Sequence, residues 1–171
     1  MSGRIVRHSV AEHHNGIVLF DRGIIEGCET FAKNSYLEGY LSYNDYQEYL
    51  LKMRTAFDNL SRVEEDQKKW LEQLVIYLKV DDTNILVERN KKRATKGEII
   101  PKEYFDKLEN TYDKFFKNID NIYSEFGLKA PAVLTIDASI DISKDNDYLK
   151  KCADIIISKT NELLHAKQMK L

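Results

Sequence analysis

The chain has 171 residues, 43% apolar and 32% charged, which suits one domain of ordinary soluble composition with a core of its own. A formal net charge of −2 gives no global reason to expect nucleic acid or an anionic membrane as a partner. No apolar run approaches the roughly 20 residues that span a bilayer, and Met1-Ser2-Gly3-Arg4 leads into no apolar stretch of the secretory kind.

The elements follow in chain order. Arg4–Asn15 has helical spacing and stops at Gly16. Ile17–Asp21 reads IVLFD, nearly continuous in apolar and β-branched residues, as strands covered on both faces are. Helical spacing resumes over Glu26–Leu37 and ends near Gly39. Ser42 is placed to cap a long helix carrying Tyr46, Tyr49, Leu50, Met53, Phe57 and Leu60. Ser61-x-x-Glu64 is a capping-box pattern that predicts a break and restart, with Trp70 and Leu71 reaching the next strand. That strand is Leu74–Val80, LVIYLKV. Asp81 and Asp82 can then cap a helix running into the basic stretch Arg89–Lys96, which Gly97 interrupts. Pro101 suits the first turn of a helix with Phe105, Leu108, Tyr112, Phe115, Ile119, Ile122 and Phe126 at steady spacing. Gly127 and Pro131 turn the chain into a third strand, Ala132–Ala138, AVLTIDA, and a last helix covers about Asp147–His165. Strands of the doubly covered kind separated by helices predict an α/β fold with an open parallel sheet, in one domain over residues 1–171.

The two cysteines, Cys28 and Cys152, lie far apart in helical patterns and make no metal spacing. Buried thiols in a reducing, cytoplasmic setting are expected. His13 and His14 are adjacent on a helix and point in different directions, so no metal is expected there. Tyrosines recur at Tyr36, Tyr40, Tyr43, Tyr46 and Tyr49; packing in a core or a subunit face and a stacking platform for bases are both open.

Two features carry chemistry. Asp21-Arg22 directly follows a buried-type strand, where the ligand crevice of open α/β sheets lies. A carboxylate there can meet magnesium or accept a proton, and the guanidinium fork can hold a phosphate. A structural ion pair is the other reading. In Arg89–Lys96 five of eight residues are basic. They either complement a helix C-terminus in solvent or form a cationic lid that closes on transferring phosphoryl groups, with Gly97 as its hinge.

Asp21-Arg22-Gly23-Ile24-Ile25-Glu26, then Thr30-Phe31-Ala32-Lys33, then Tyr36-x-x-Gly39-x-x-Ser42-x-x-Asp45-Tyr46, resembles the deoxyadenosine/deoxyguanosine kinase branch of the bacterial-type deoxynucleoside kinases. Ile76-Tyr77-Leu78, the basic lid, Ile100-Pro101-x-Glu103-Tyr104 and Leu134-Thr135-Ile136-Asp137 follow in the family's order. The resemblance runs from about Arg4 to the C-terminus. It implies transfer of the ATP γ-phosphoryl group to a deoxynucleoside 5′-hydroxyl, with Mg²⁺ and ATP as cofactors and a homodimer as the common assembly. No DNA, RNA or membrane partner is expected. By the resemblance Asp21 is the carboxylate near magnesium and the catalytic centre, and Arg22 the arginine near the reacting oxygen. Arg4 helps line the nucleobase site, and Glu98 lies within one position of the carboxylate that contacts the sugar 3′-hydroxyl. Arg89, Lys92 and Arg93 occupy the lid, although an ungapped match sets Glu88 where one family arginine stands. Asp141 and Ile142 fall in the loop that cups the donor's adenine.

The departures are specific. Gly23 replaces the serine of the family's DRS, and Gly27 replaces an acidic residue that contacts the base in some members. The stretch Ser61–Gln73 is longer than the family pattern. No glycine in the chain is followed by lysine, so the GxxxxGKS/T loop that holds donor phosphates is missing. So are the first strand and the second strand with its catalytic-base carboxylate. The expected fold is therefore a partial P-loop-kinase-like sheet, N-terminally truncated and without its central first strand, whose neighbours keep unpaired ladder groups or close up. Such a chain reads as a deoxynucleoside kinase family member inactive by itself. Alternatives are a non-catalytic pseudokinase or interaction subunit, and a thymidylate-kinase-like P-loop relative.

Overall fold

A computed structural model describes residues 16–61, 72–93 and 99–168. The expected helix over Arg4–Asn15, the restart after Ser61 and the Gly97 hinge lie outside the described residues. The chain packs as two compact units, one of Met1–Glu72 with Lys107–Ala130, the other of Gln73–Asp106 with Pro131–Leu171.

The first unit is helical. It begins with α1 (Ile24–Glu26), which passes through a π-helical stretch, Gly27–Ala32, into α2 (Lys33–Leu37). The Thr30 hydroxyl donates to Glu26 O at 2.6 Å. That carbonyl is also the usual α-helical acceptor for the Thr30 amide. Gly39, at φ 76°, ends this run in the left-handed conformation that glycine adopts without steric cost. α3 (Tyr43–Ser61) starts where the sequence indicates: Ser42 Oγ accepts the Asp45 amide at 3.1 Å and donates to Asp45 Oδ2 at 2.6 Å. α5 (Lys102–Lys117), most of which belongs here, and α6 (Ile119–Glu125) are parted at Asn118, whose Nδ2 and amide both donate to Lys114 O. The unit's core is Ile24, Ile25, Cys28, Met53, Phe57, Phe115, Ile119, Tyr123 and Leu128. Met53 and Phe57 lie four apart on α3, as do Ile119 and Tyr123 on α6. Tyr36 stacks flat on buried Tyr46 at 4.9 Å between centroids, while Tyr40 and Tyr43 are exposed, so the tyrosine series divides between packing and surface.

The second unit holds a parallel pair, β1 (Leu74–Lys79) and β2 (Ala132–Asp137), in register from Leu74 opposite Ala132 to Lys79 opposite Asp137. A parallel pair needs a long crossover. Here it includes α4 (Thr83–Arg93), capped by Asp82 Oδ1 on the Asn84 amide at 2.9 Å. α7 (Asn146–Gln168) closes the unit, with Asp145 Oδ1 accepting the Tyr148 amide at 2.8 Å. Both cysteines are buried free thiols. No helix among the described residues is long and apolar enough to cross a membrane.

One expected element is corrected. Ile17–Asp21 is not a strand, and among the described residues the sheet has two strands rather than three. Ile17 is 64% and Leu19 81% exposed. The composition is that of a strand covered on both faces, but a strand exists only through a ladder neighbour. No such neighbour stands beside this run among the described residues.

Candidate functional site

In the first unit the Asp21-Arg22 pair sits just ahead of α1. Arg22 has φ 69°, uncommon for any residue but glycine and a recurrent feature of functional sites. Its guanidinium carbon lies 4.0 Å from the centroid of the Phe31 ring. Phe31 meets Tyr112 edge-on at 6.0 Å, and the Tyr112 hydroxyl donates to Glu26 Oε1 at 2.5 Å. The other Glu26 oxygen accepts the Gly23 amide at 3.2 Å. Burial, then the charge and hydrogen bond of Glu26, push the Tyr112 phenol far above its ordinary range, so it stays a proton donor. Glu72 Oε1 accepts the Ile24 amide at 3.3 Å. Two glutamates thus brace the backbone that presents Arg22, over an aromatic floor of Phe31 and Tyr112. Asp21 is exposed beside it.

In the second unit α4 carries Arg89, Lys92 and Arg93, the residues expected in a lid. Lys92 and Arg93 are exposed at its C-terminal end. Arg89 instead donates to Ala138 O at 2.6 Å, Ser139 O at 3.1 Å and Ile140 O at 3.2 Å. Asn90 is buried, and its Oδ1 accepts the Ile100 amide at 2.9 Å, a base that joins α4 to Ile100. Across that base, Lys102 Nζ donates to Thr83 Oγ1 at 2.9 Å and to Asp106 Oδ1 at 2.7 Å. After β2, Asp141 Oδ1 accepts the Ser143 hydroxyl at 2.6 Å and the Ser143 amide at 3.2 Å. These bonds hold its carboxyl below the usual range. Ile142 is 47% exposed beside it, leaving an apolar surface next to a polar turn.

Asp21 and Arg22 therefore belong to the first unit, and Arg89, Lys92, Arg93, Asp141 and Ile142 to the second. Arg4 and Glu98 lie outside the described residues. The sequence did not single out Glu72, Tyr112 or Asn90. Tyr112 shows only as a helix-face aromatic, and Asn90 only as one of three neutral residues in a basic run. No local signal marks Glu72.

The family model described as deoxynucleoside kinase matches residues 3–165. The chain belongs to the deoxynucleoside kinase family. A solved structure of deoxyadenosine kinase from M. mycoides with bound dATP is similar to it, with a TM-score of 0.61 and 26% identity, covering 94% of this chain and 70% of that one. The same enzyme with bound dCTP gives a TM-score of 0.56 and 25% identity over 94% of this chain and 72% of that one. No curated protein sequence matches the chain significantly. The α/β class with a parallel sheet and flanking helices is that of these kinases.

Proposed function

We propose that this family member serves transfer of the ATP γ-phosphoryl group to the 5′-hydroxyl of a deoxynucleoside. The observation that carries the reading is the built Asp21-Arg22 pair, an arginine held in a left-handed conformation on an aromatic floor with an exposed carboxylate beside it. Arg22 would meet a phosphoryl oxygen. Its stacking on Phe31 contributes about 0.5–1 kcal/mol at an exposed site, against roughly 1.5–3 kcal/mol for a hydrogen bond between charged groups. A phosphate would therefore draw it off the ring. Lys92 and Arg93 would neutralise the transferring group. Asp141 and Ile142 would cup the donor base, and Arg4 and Glu98 would serve the nucleobase and the sugar.

The described residues form no group of three or more His, Cys, Asp or Glu fit to cage a metal. The single exposed carboxylate of Asp21 does fit Mg²⁺, which is commonly held by one or two carboxylates together with substrate phosphates. Bound there, Mg²⁺ would neutralise phosphate charge.

A second reading rests on one observation. None of the seven glycines is followed by lysine, so the 171 residues contain no loop for the donor β-phosphate. By itself this polypeptide would then act as a nucleotide-binding, non-catalytic member, with turnover requiring that element from elsewhere.

The test is binding of deoxynucleoside 5′-monophosphates by calorimetry. Binding of at least one is expected, and Arg22→Ala should weaken it about tenfold, the loss of one charge-assisted contact. A chain that binds none of the four, or binds equally well after Arg22→Ala, contradicts the reading.

A further inference from the structure

Arg89 donates to three consecutive backbone carbonyls, those of Ala138, Ser139 and Ile140, at 2.6, 3.1 and 3.2 Å. Consecutive carbonyl dipoles that converge on one point repel each other unless a cation stands between them, and a planar guanidinium with its fork of donors suits that position. The loop is also tied at its ends, where the Ala138 amide donates to Lys79 O at 2.7 Å and the Lys144 amide to Asp141 O at 2.9 Å. Ser139 is fixed by its amide to Asp137 Oδ1 at 2.8 Å, Tyr148 donates its hydroxyl to Asp137 O at 2.7 Å, and Asp141 makes its own turn with Ser143. On the helix side, the next residue, Asn90, is buried and tied to Ile100. Arg89 therefore joins a fixed point of α4 to the backbone just ahead of Asp141 and Ile142. A phosphate drawn to this guanidinium would have to displace three carbonyls, while Lys92 and Arg93 lie exposed one turn further along.

We propose that Arg89 is a positioning residue: it shapes residues 138–142 to receive the base of a nucleoside triphosphate, and leaves the triphosphate to Lys92 and Arg93. This rests on the kinase reading above and divides the lid's labour within it. Base recognition passes through Arg89 and the loop it holds. Charge neutralisation passes through the helix end.

The experiment uses the full ¹⁵N-labelled chain, unaltered and as Arg89→Ala and Arg89→Lys, with ATP and inorganic triphosphate as probes. Without ligand, the Ser139 and Ser143 amides should exchange about tenfold faster in Arg89→Ala, with partial recovery in Arg89→Lys, whose point charge reaches fewer carbonyls. With ligand, Arg89→Ala should lower ATP affinity about tenfold, read on amides 138–144, and change triphosphate affinity by less than about twofold. Unchanged exchange over 138–144 overturns the proposal. So does an equal loss for ATP and triphosphate, which makes Arg89 a phosphate contact. Absence of any ATP-specific shift at 138–144 in the unaltered chain overturns the base assignment and the proposal with it. The kinase reading stands or falls separately, on the monophosphate titration through Arg22.

Discussion

The Glu72 carboxylate stands where a Cβ on Gly23 would be, and it accepts the amide of the following residue, Ile24. A side chain at position 23 therefore displaces Glu72 and breaks that bond. The obstacle is the far end of a flexible chain, so the cost is the bond itself, about 1 kcal/mol. A serine brings a hydroxyl at the N-cap position, worth a similar amount. Gly23→Ser should thus change stability by less than about 1 kcal/mol. Glu72→Ala should cost about 1 kcal/mol in the unaltered chain and close to nothing in the serine variant. A urea-denaturation cycle of the four proteins checks this, and additive losses would show that the two sites do not share the Ile24 amide.

Arg22 is held at φ 69°, where any side chain beyond glycine carries a steric cost of about 1–2 kcal/mol. Arg22→Ala keeps that cost and loses the contact with Phe31. Arg22→Gly loses the contact and relieves the backbone. The glycine variant should be the more stable of the two by about 1 kcal/mol, although glycine is ordinarily the weaker residue. Paired denaturation curves decide it; an alanine variant as stable as the glycine one contradicts the left-handed conformation.

Burial, and then the charge of Glu29, push the Cys28 thiol up to about 12, with Lys33 offsetting part of this. At pH 8 the thiolate is then on the order of one part in ten thousand. Native protein should leave Cys28 unmodified by a disulfide reagent while urea-unfolded protein reacts at once, as mapped by mass spectrometry. Rapid labelling of Cys28 in the folded chain would contradict its place in the core.

Hydrogen bonds from the Ser143 hydroxyl and amide, with the Lys144 charge adding to them, lower the Asp141 pKa. A depressed carboxylate contributes its stability above the unfolded value of about 4 and loses it as pH falls through the folded value. The Ser143 amide resonance should therefore hold steady from neutral pH down to about pH 4 and move only below it. Ser143→Ala should bring that midpoint upward. A midpoint that ignores the substitution would mean the turn is held by other contacts.

The parallel pair was legible because Leu74–Lys79 and Ala132–Asp137 carry strand composition and each has the other as neighbour. The caps at Ser42 and Asp82 were legible because capping is local. Ile17–Asp21 has the same composition, but its pairing is a property of the chain around it, and five residues cannot show that. The π-helical stretch Gly27–Ala32 reads in the sequence as ordinary helical spacing, so the pattern does not announce it. At the candidate site, residue types and order pointed to Asp21-Arg22 and to the basic end of α4. The partners that orient them come from far along the chain: Glu72 is 48 residues from Ile24, and Ala138 is 49 from Arg89. A periodic pattern reports which face a side chain occupies; it does not report which distant carbonyl its charge will meet.

The central claim is tested most directly by formation of deoxynucleoside 5′-monophosphate from each of the four deoxynucleosides with ATP and Mg²⁺. The 171-residue chain is measured by itself and as a fusion with a family segment carrying the phosphate loop and the catalytic-base carboxylate. Losing one electrostatic element at such a site costs about a hundredfold to a thousandfold in rate. On the proposed reading the 171-residue chain has no donor-phosphate loop, and it should give nothing above background by itself. The fusion should turn over, and Arg22→Ala in the fusion should lower that turnover about a hundredfold to a thousandfold. Product from the bare chain, or a folded fusion that binds nucleotide and makes no product, would contradict the account.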